Sequence, residues 1–223
     1  DLLGSRGLGD VYKRQELVKF FGDVPLFTEA RLTAGQAGTL TRTPKDEVYA
    51  QIELDLQNAI ASLPNSQSQV GRVNKYTAYA LLGKVLLYQD KFAEAASALD
   101  NVIGVYSLVS DYGSQFLRFG ENGPESVFEI QYSNQSNWYD WGCAHCSEGN
   151  YAIIMNGPRG WSGPEYAQGW SFNVPTEEFY NSFEEGDSRR DATVLDIEAF
   201  AAATGASYTE GYDHTGYFNN KYI

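Results

Sequence analysis

Residues 74 to 104, NKYTAYALLGKVLLYQDKFAEAASALDNVIG, hold two apolar runs of helical spacing joined by a short polar turn. The first run, around Leu81, Leu82, Val85 and Leu86, is apolar on nearly every side and predicts a buried helix. The second places Ala95, Ala96, Leu99, Val102 and Ile103 on one face and ends at Gly104, a residue suited to the position just past a helix. Upstream, TPKDEVYAQIELDLQNAIASLP predicts a third helix. Thr43 is its expected cap, Pro44 its first residue and Asp46 the partner in a capping-box-like pattern. Val48, Ile52, Leu56, Ala59, Ile60 and Leu63 then recur at helical spacing until Pro64 and Asn65 stop the run. These helices cannot bury their own apolar faces, so the chain must pack them against further elements.

The hairpin resembles a tetratricopeptide repeat: Leu82 and Gly83 fit its Leu-Gly pair, Tyr79 stands at its tryptophan position, and Ala95 fits its small position. A solenoid of such units needs about three to stand alone, and one is clear here. From Tyr106 the texture changes. ESVFEIQY is a short strand candidate, after which Gly, Asn, Ser and aromatic residues dominate to about residue 174. VPTEEFYNSFEEGDSRRDATV returns to helix, with Thr176 as cap, Glu177 and Glu178 in the first turn and Phe179 paired with Phe183. The tail from Tyr208 reads as strands or loops. The fold expected is mostly α, a tetratricopeptide-like scaffold carrying a long irregular aromatic-rich insertion and few short strands.

Charge narrows the partners. The 223 residues carry a net charge of −13, which disfavours nucleic acid and anionic membrane surfaces. No stretch approaches the roughly 18 consecutive apolar residues of a membrane span, and no signal-peptide pattern opens the chain. With 16 Tyr and 12 Phe, the surface suits neutral polar ligands, where rings supply contact area and hydroxyls hydrogen bonds. Nothing in the sequence asks for a cofactor.

Five blocks, ELVKFFGDVPLFTEA, RTPKDEVYAQIELDLQNAIASLP, GRVNKYTAYALLGKVLLYQDKFAEAASALDNVI, YSLVSDYGSQFLRFGENGPESVFEIQYS and NVPTEEFYNSFEEGDSRRDAT, together resemble the SusD/RagB outer-membrane lipoproteins, in that family's order and over most of residues 16 to 195. The resemblance implies a non-enzymatic protein of the Bacteroidetes outer surface. Such a protein captures oligosaccharide or polysaccharide and delivers it to a SusC-like TonB-dependent transporter. It implies an N-terminal lipid anchor on the extracellular face of the outer membrane, an anchor these residues do not contain. Residues 1 to 15, DLLGSRGLGDVYKRQ, lack clear periodicity and resemble translated sequencing adapter, so they are set aside as non-native. Residues 16 to 223 read as an internal fragment of one domain. Residues 44 to 104 are its tetratricopeptide-like helices, 105 to 174 its ligand-facing loops, and 175 to 223 a helix with an incomplete C-terminal part. The alternative is a tetratricopeptide-type adaptor that binds a protein or peptide on its concave helical surface.

All four tryptophans lie between residues 138 and 170. Sugar rings present apolar faces bordered by hydroxyls, so a site for them needs flat aromatic platforms edged with polar side chains. Trp138, Tyr139, Trp141, Trp161 and Tyr166 are the candidate platforms, with Asn137 and Asp140 as edges; the competing reading is that these rings fill small cores under the loops. Trp170, in an apolar run leading into a helix, reads as core. Cys143-Ala-His-Cys146 has redox spacing but lacks the helix N-terminus that would activate a thiol, and the neighbourhood is short of zinc ligands. It reads as a local disulfide bracing the loop, ahead of free thiols and of metal or redox chemistry.

A glycoside hydrolase would need two carboxylates across a cleft, one with a raised pKa. Glu184, Glu185 and Asp187 instead sit together beside Arg189 and Arg190, the pattern of a solvated face with ion pairs. No nucleophile elbow, phosphate loop or H-E-x-x-H motif occurs.

Overall fold

The computed structural model describes residues 3–28, 32–132 and 151–222. They form two compact units, one of Asp1–Leu108 with Pro124–Glu129, the other of Val109–Gly123 with Ile130–Ile223. The architecture is mostly helical, as expected.

In the first unit, α1 (Leu3–Phe21), the short α2 (Ala34–Ala37), α3 (Lys45–Ser62), α4 (Lys75–Leu87) and α5 (Phe92–Leu99) follow in order. α1 packs on α3, α3 on α4 and α4 on α5. Their shared core contains Val11, Val18, Val48, Ile52, Leu56, Leu82, Val85, Leu86, Ala95 and Ala98. Val48, Ile52 and Leu56 are the inward positions that the period of α3 predicted. α1 runs through the segment set aside on sequence grounds and buries Val11 and Gln15 there; both polar atoms of the Gln15 amide are without a hydrogen-bond partner.

The capping of α3 differs from expectation. Pro44 is the N-cap and makes no side-chain cap bond; the Lys45 amide donates to Asp23 Oδ1 at 2.9 Å instead. Thr43 is drawn away by a backbone bond from its amide to Val24 O, which holds it in an extended bridge. Asn74 caps α4 in a capping box with Thr77. The turn after α4 is fastened to α3, because Lys91 Nζ and Gln89 Nε2 both donate to Glu53 Oε1, at 2.6 and 2.8 Å. α5 ends at Leu99, four residues before the predicted Ile103. Ile103 is 74% exposed, so nothing among the described residues rewards winding the helix that far.

The strand expected in ESVFEIQY does not form among its described residues. Thr77 Oγ1 donates to Val127 O and binds that stretch to the helices.

In the second unit, α6 (Tyr151–Asn156), α7 (Glu177–Asn181), α8 (Arg189–Thr193), β1 (Val194–Asp196), α9 (Ile197–Thr204) and β2 (Tyr217–Asn219) occur in chain order. β1 and β2 pair antiparallel with Leu195 opposite Phe218. The expected single helix from Thr176 becomes two short ones, separated by a turn in which Gly186 has φ +83°. Thr176 caps α7 as expected, and the Phe179 and Phe183 rings meet at 5.4 Å.

Candidate functional site

The aromatic-rich region begins at the surface. Ile130 and Tyr132 are exposed as the chain approaches it. Trp138, Tyr139, Trp141, Asn137, Asp140, Cys143 and Cys146 lie outside the described residues, and so does the disulfide expected of the two cysteines. The chain re-enters as α6, whose C-terminal carbonyls anchor the loop that leaves it.

That loop, closed on itself, spans residues 157 to 173. The Trp170 amide donates to Ile154 O, Phe172 to Met155 O, Ser171 to Gly157 O and Gly169 to Pro158 O, each at 2.8 or 2.9 Å. The two sides cross so closely that a Cβ on Gly169 would lie 2.5 Å from the Gly157 Cα, so position 169 excludes any side chain. The Arg159 amide donates to Ser171 Oγ, and its guanidinium donates to Trp170 O, both at 2.9 Å. Backbone bonds therefore fix this loop, and Ser171 and Asn173 adopt positive φ of 58° and 55° to close it. Trp170 meets Phe172 edge to face at 5.7 Å, but it is only partly buried and Phe172 is 51% exposed, so it does not join the core expected of it.

The structure brings Trp161 and Tyr166 together, 5.9 Å between ring centroids, and places Phe200 against both. Trp161 is 8% exposed and belongs to a core with Leu195, Ile197 and Phe218. Its ring faces are thus occupied by protein, and its buried Nε1 has no hydrogen-bond partner. Tyr166 is half-buried and its hydroxyl donates to Asn220 Oδ1 at 3.1 Å; burial raises its phenol above the usual range, with the Glu165 charge adding to the effect. In this arrangement Trp161 and Tyr166 brace the unit from within. Phe200, Tyr208 and Asn220, which hold them, carried no local signal in the sequence, because they come from the distant tail.

The acidic stretch is wired as ion pairs. Arg189 grips Asp187 through Nε and a terminal nitrogen, and with its own amide it holds the Asp187 carboxyl down at about 2. That direction is opposite to what a general acid requires. Nearby, Lys221 Nζ lies 2.6 Å from the Tyr112 hydroxyl and 4.6 Å from the centre of the Phe116 ring, lowering the Tyr112 pKa through that hydrogen bond. No group of three or more metal-ligating side chains occurs among the described residues. No helix among them is long and apolar enough to cross a membrane.

A SusD-like family profile described as "starch-binding associating with outer membrane" matches residues 10–87. SusD-like protein P2 of Formosa agariphila is 33% identical over 189 residues, which cover 82% of this chain and 36% of that protein. A solved laminarin binding SusD-like protein is 38% identical with a TM-score of 0.86, over 96% of this chain and 49% of its own. Surface glycan-binding protein A from Bacteroides thetaiotaomicron, solved in complex with laminarihexaose, is 28% identical with a TM-score of 0.81, over 96% of this chain and 47% of its own. The chain thus spans between about a third and a half of the length of these relatives.

Proposed function

The chain belongs to the SusD/RagB family, and on that premise we propose that it is a non-catalytic glycan-binding protein. The observation that carries this reading is its likeness, across nearly the whole chain, to a laminarin binding SusD-like protein. It works at the extracellular face of the outer membrane, held by an N-terminal lipid anchor. The captured oligosaccharide passes to a SusC-like TonB-dependent transporter. Capture is by stacking of sugar rings on aromatic platforms, with Trp138, Tyr139 and Trp141 as the platforms and Asn137 and Asp140 as their polar edges. A disulfide between Cys143 and Cys146 would brace that segment. Trp161 and Tyr166 act as positioning residues. Affinity of about micromolar or weaker suits an open, wet site whose ligand must be released.

Affinity electrophoresis in a laminarin gel tests this. The chain should be retarded, and Trp138→Ala with Trp141→Ala should remove the retardation. Migration of the parent protein unchanged by laminarin and by other polysaccharides would defeat the reading.

A peptide-binding adaptor is the second reading. It is favoured by a groove of about 500 Å³ on the first unit, floored by Leu82, Leu86 and Ala98 and bordered by Tyr79 and Glu94. On that reading a peptide library selects binders sensitive to Tyr79→Ala, and polysaccharide gels retain nothing.

A further inference from the structure

The second unit contains a cavity of about 330 Å³ remote in sequence from the tryptophan-rich stretch, bounded by Tyr180, Arg190, Asp191, Asp196, Ala199 and Phe200. Two of its polar groups, Arg190 and Asp196, are held by partners within the protein, while Asp191 is largely exposed. The Arg190 guanidinium lies over the Tyr180 ring at 4.9 Å, and its Nε donates to Asp191 Oδ1 at 3.0 Å. Tyr180 is steadied in turn by Tyr217, stacked at 4.5 Å and 20°. Among the described residues, neither terminal nitrogen of Arg190 has a hydrogen-bond acceptor. Asp196 caps α9 through Oδ1, which accepts from the Ala199 amide at 2.9 Å, and its second oxygen has no donor among the described residues.

The two terminal donors of Arg190 and the open acceptor oxygen of Asp196, on one lining, match two adjacent hydroxyls: one accepts from Arg190 and its neighbour donates to Asp196. The lining carries two carboxylates, Asp191 and Asp196, to one guanidinium, so the balance of charge turns away acidic ligands. The volume lies at the small end of ligand pockets, which run from about 300 to 1,000 Å³, and has room for one ring rather than a chain. The Tyr180 faces are taken by Arg190 and Tyr217, and Phe200 packs on Trp161 and Tyr166, so the aromatic walls do not serve as stacking platforms. We propose that this cavity is a second sugar subsite, which takes one neutral pyranose ring through a pair of adjacent hydroxyls. It rests on the glycan-binding reading above and adds to it a contact made by hydrogen bonds instead of stacking.

The test is a glucose titration of the full, ¹⁵N-labelled chain followed by NMR, with the Ala199 amide and the Arg190 Nε–H as reporters. Glucose should move both signals with a dissociation constant of about millimolar order. Asp196→Asn keeps the α9 cap, since Asn caps as well as Asp, and should weaken the response about tenfold. If that variant melts early, Arg190→Lys, which keeps the charge but loses the planar fork, replaces it with the same expectation. Glucuronate should move neither reporter. Equal binding by wild type and variant, or by glucuronate and glucose, overturns the proposal. Glucose shifts confined to other residues also overturn it, and laminarin-gel retardation of the same protein would then leave the glycan-binding reading standing. Loss of both the shifts and the retardation removes both readings.

Discussion

Gly83 on α4 and Leu99 on α5 touch so closely that a methyl group built on the glycine would sit 2.6 Å from Leu99 Cδ2. The Leu-Gly pair seen in the sequence is therefore a packing device: the missing side chain lets the second helix of the hairpin settle onto the first. Gly83→Ala gains up to about 1 kcal/mol of helix propensity but overpacks the contact, which costs about 1–3 kcal/mol, and the net effect should be destabilising. Urea unfolding should show the loss largely relieved in the Leu99→Ala background, as a coupling between the two positions. Strict additivity would mean that the helices do not meet there.

Trp161 offers a separation of packing from recognition. Trp161→Phe removes the buried, unpartnered indole N–H while keeping a ring in the core, so stability should change by less than about 1.5 kcal/mol and laminarin-gel retardation should persist. Trp161→Ala should cost about 3–5 kcal/mol by thermal or urea unfolding. Loss of retardation in a fully folded Trp161→Phe protein would mean that the indole itself meets sugar.

Gln15 is fully buried between α1 and its neighbours with both amide atoms unpaired. Gln15→Leu replaces that amide with a hydrocarbon of similar size and should stabilise the chain by about 1–3 kcal/mol, read as a higher midpoint in urea. A lower midpoint would show that the amide finds partners in solution.

The Asp187–Arg189 pair makes a prediction about acid. The Asp187 carboxyl is lowered from 3.8 to about 2 by the Arg189 hydrogen bonds, so its folded value lies below its unfolded one. The contribution of the pair is then fully present above about pH 4 and disappears as pH falls through about 2. Carboxyl ¹³C NMR should find Asp187 titrating near the bottom of that window, and Arg189→Gln should return it toward 3.8.

Tyr112 should ionise at lower pH than an ordinary tyrosine because Lys221 donates to its hydroxyl. Ultraviolet titration of Lys221→Met should remove one early phenolate step relative to the parent. An unchanged titration curve would dissolve the contact between the tail and residues 112 to 116.

Much of the first unit was legible because its information is local. Val48, Ile52 and Leu56 repeat at helical spacing and are buried as that spacing demands. The misreadings arise where a partner distant in sequence decides. Asp23 displaces Thr43 as the group serving the start of α3. Among the described residues Val127 receives a side-chain hydroxyl from Thr77 and not a strand partner, so alternation alone did not make a strand there. β1 is three residues long, too short for its period to register, and it exists because Phe218 lies opposite Leu195. At the site, local chemistry located the aromatic concentration but not the burial of Trp161, which depends on Leu195, Phe200 and Phe218.

The loop from Gly157 to Asn173 owes its form to main-chain bonds and to Gly169, which excludes a side chain where its two sides cross. At its exposed tip, apart from the buried Trp161 and the half-buried Tyr166, shape and chemistry are thereby uncoupled. Exposed positions such as Pro164, Ala167 and Gln168 carry no side-chain hydrogen bond among the described residues, so the tip can be rewritten without redrawing the loop. A lineage, or an engineer, has there a ready-made cassette for a new ligand, with the frame already supplied by the end of α6.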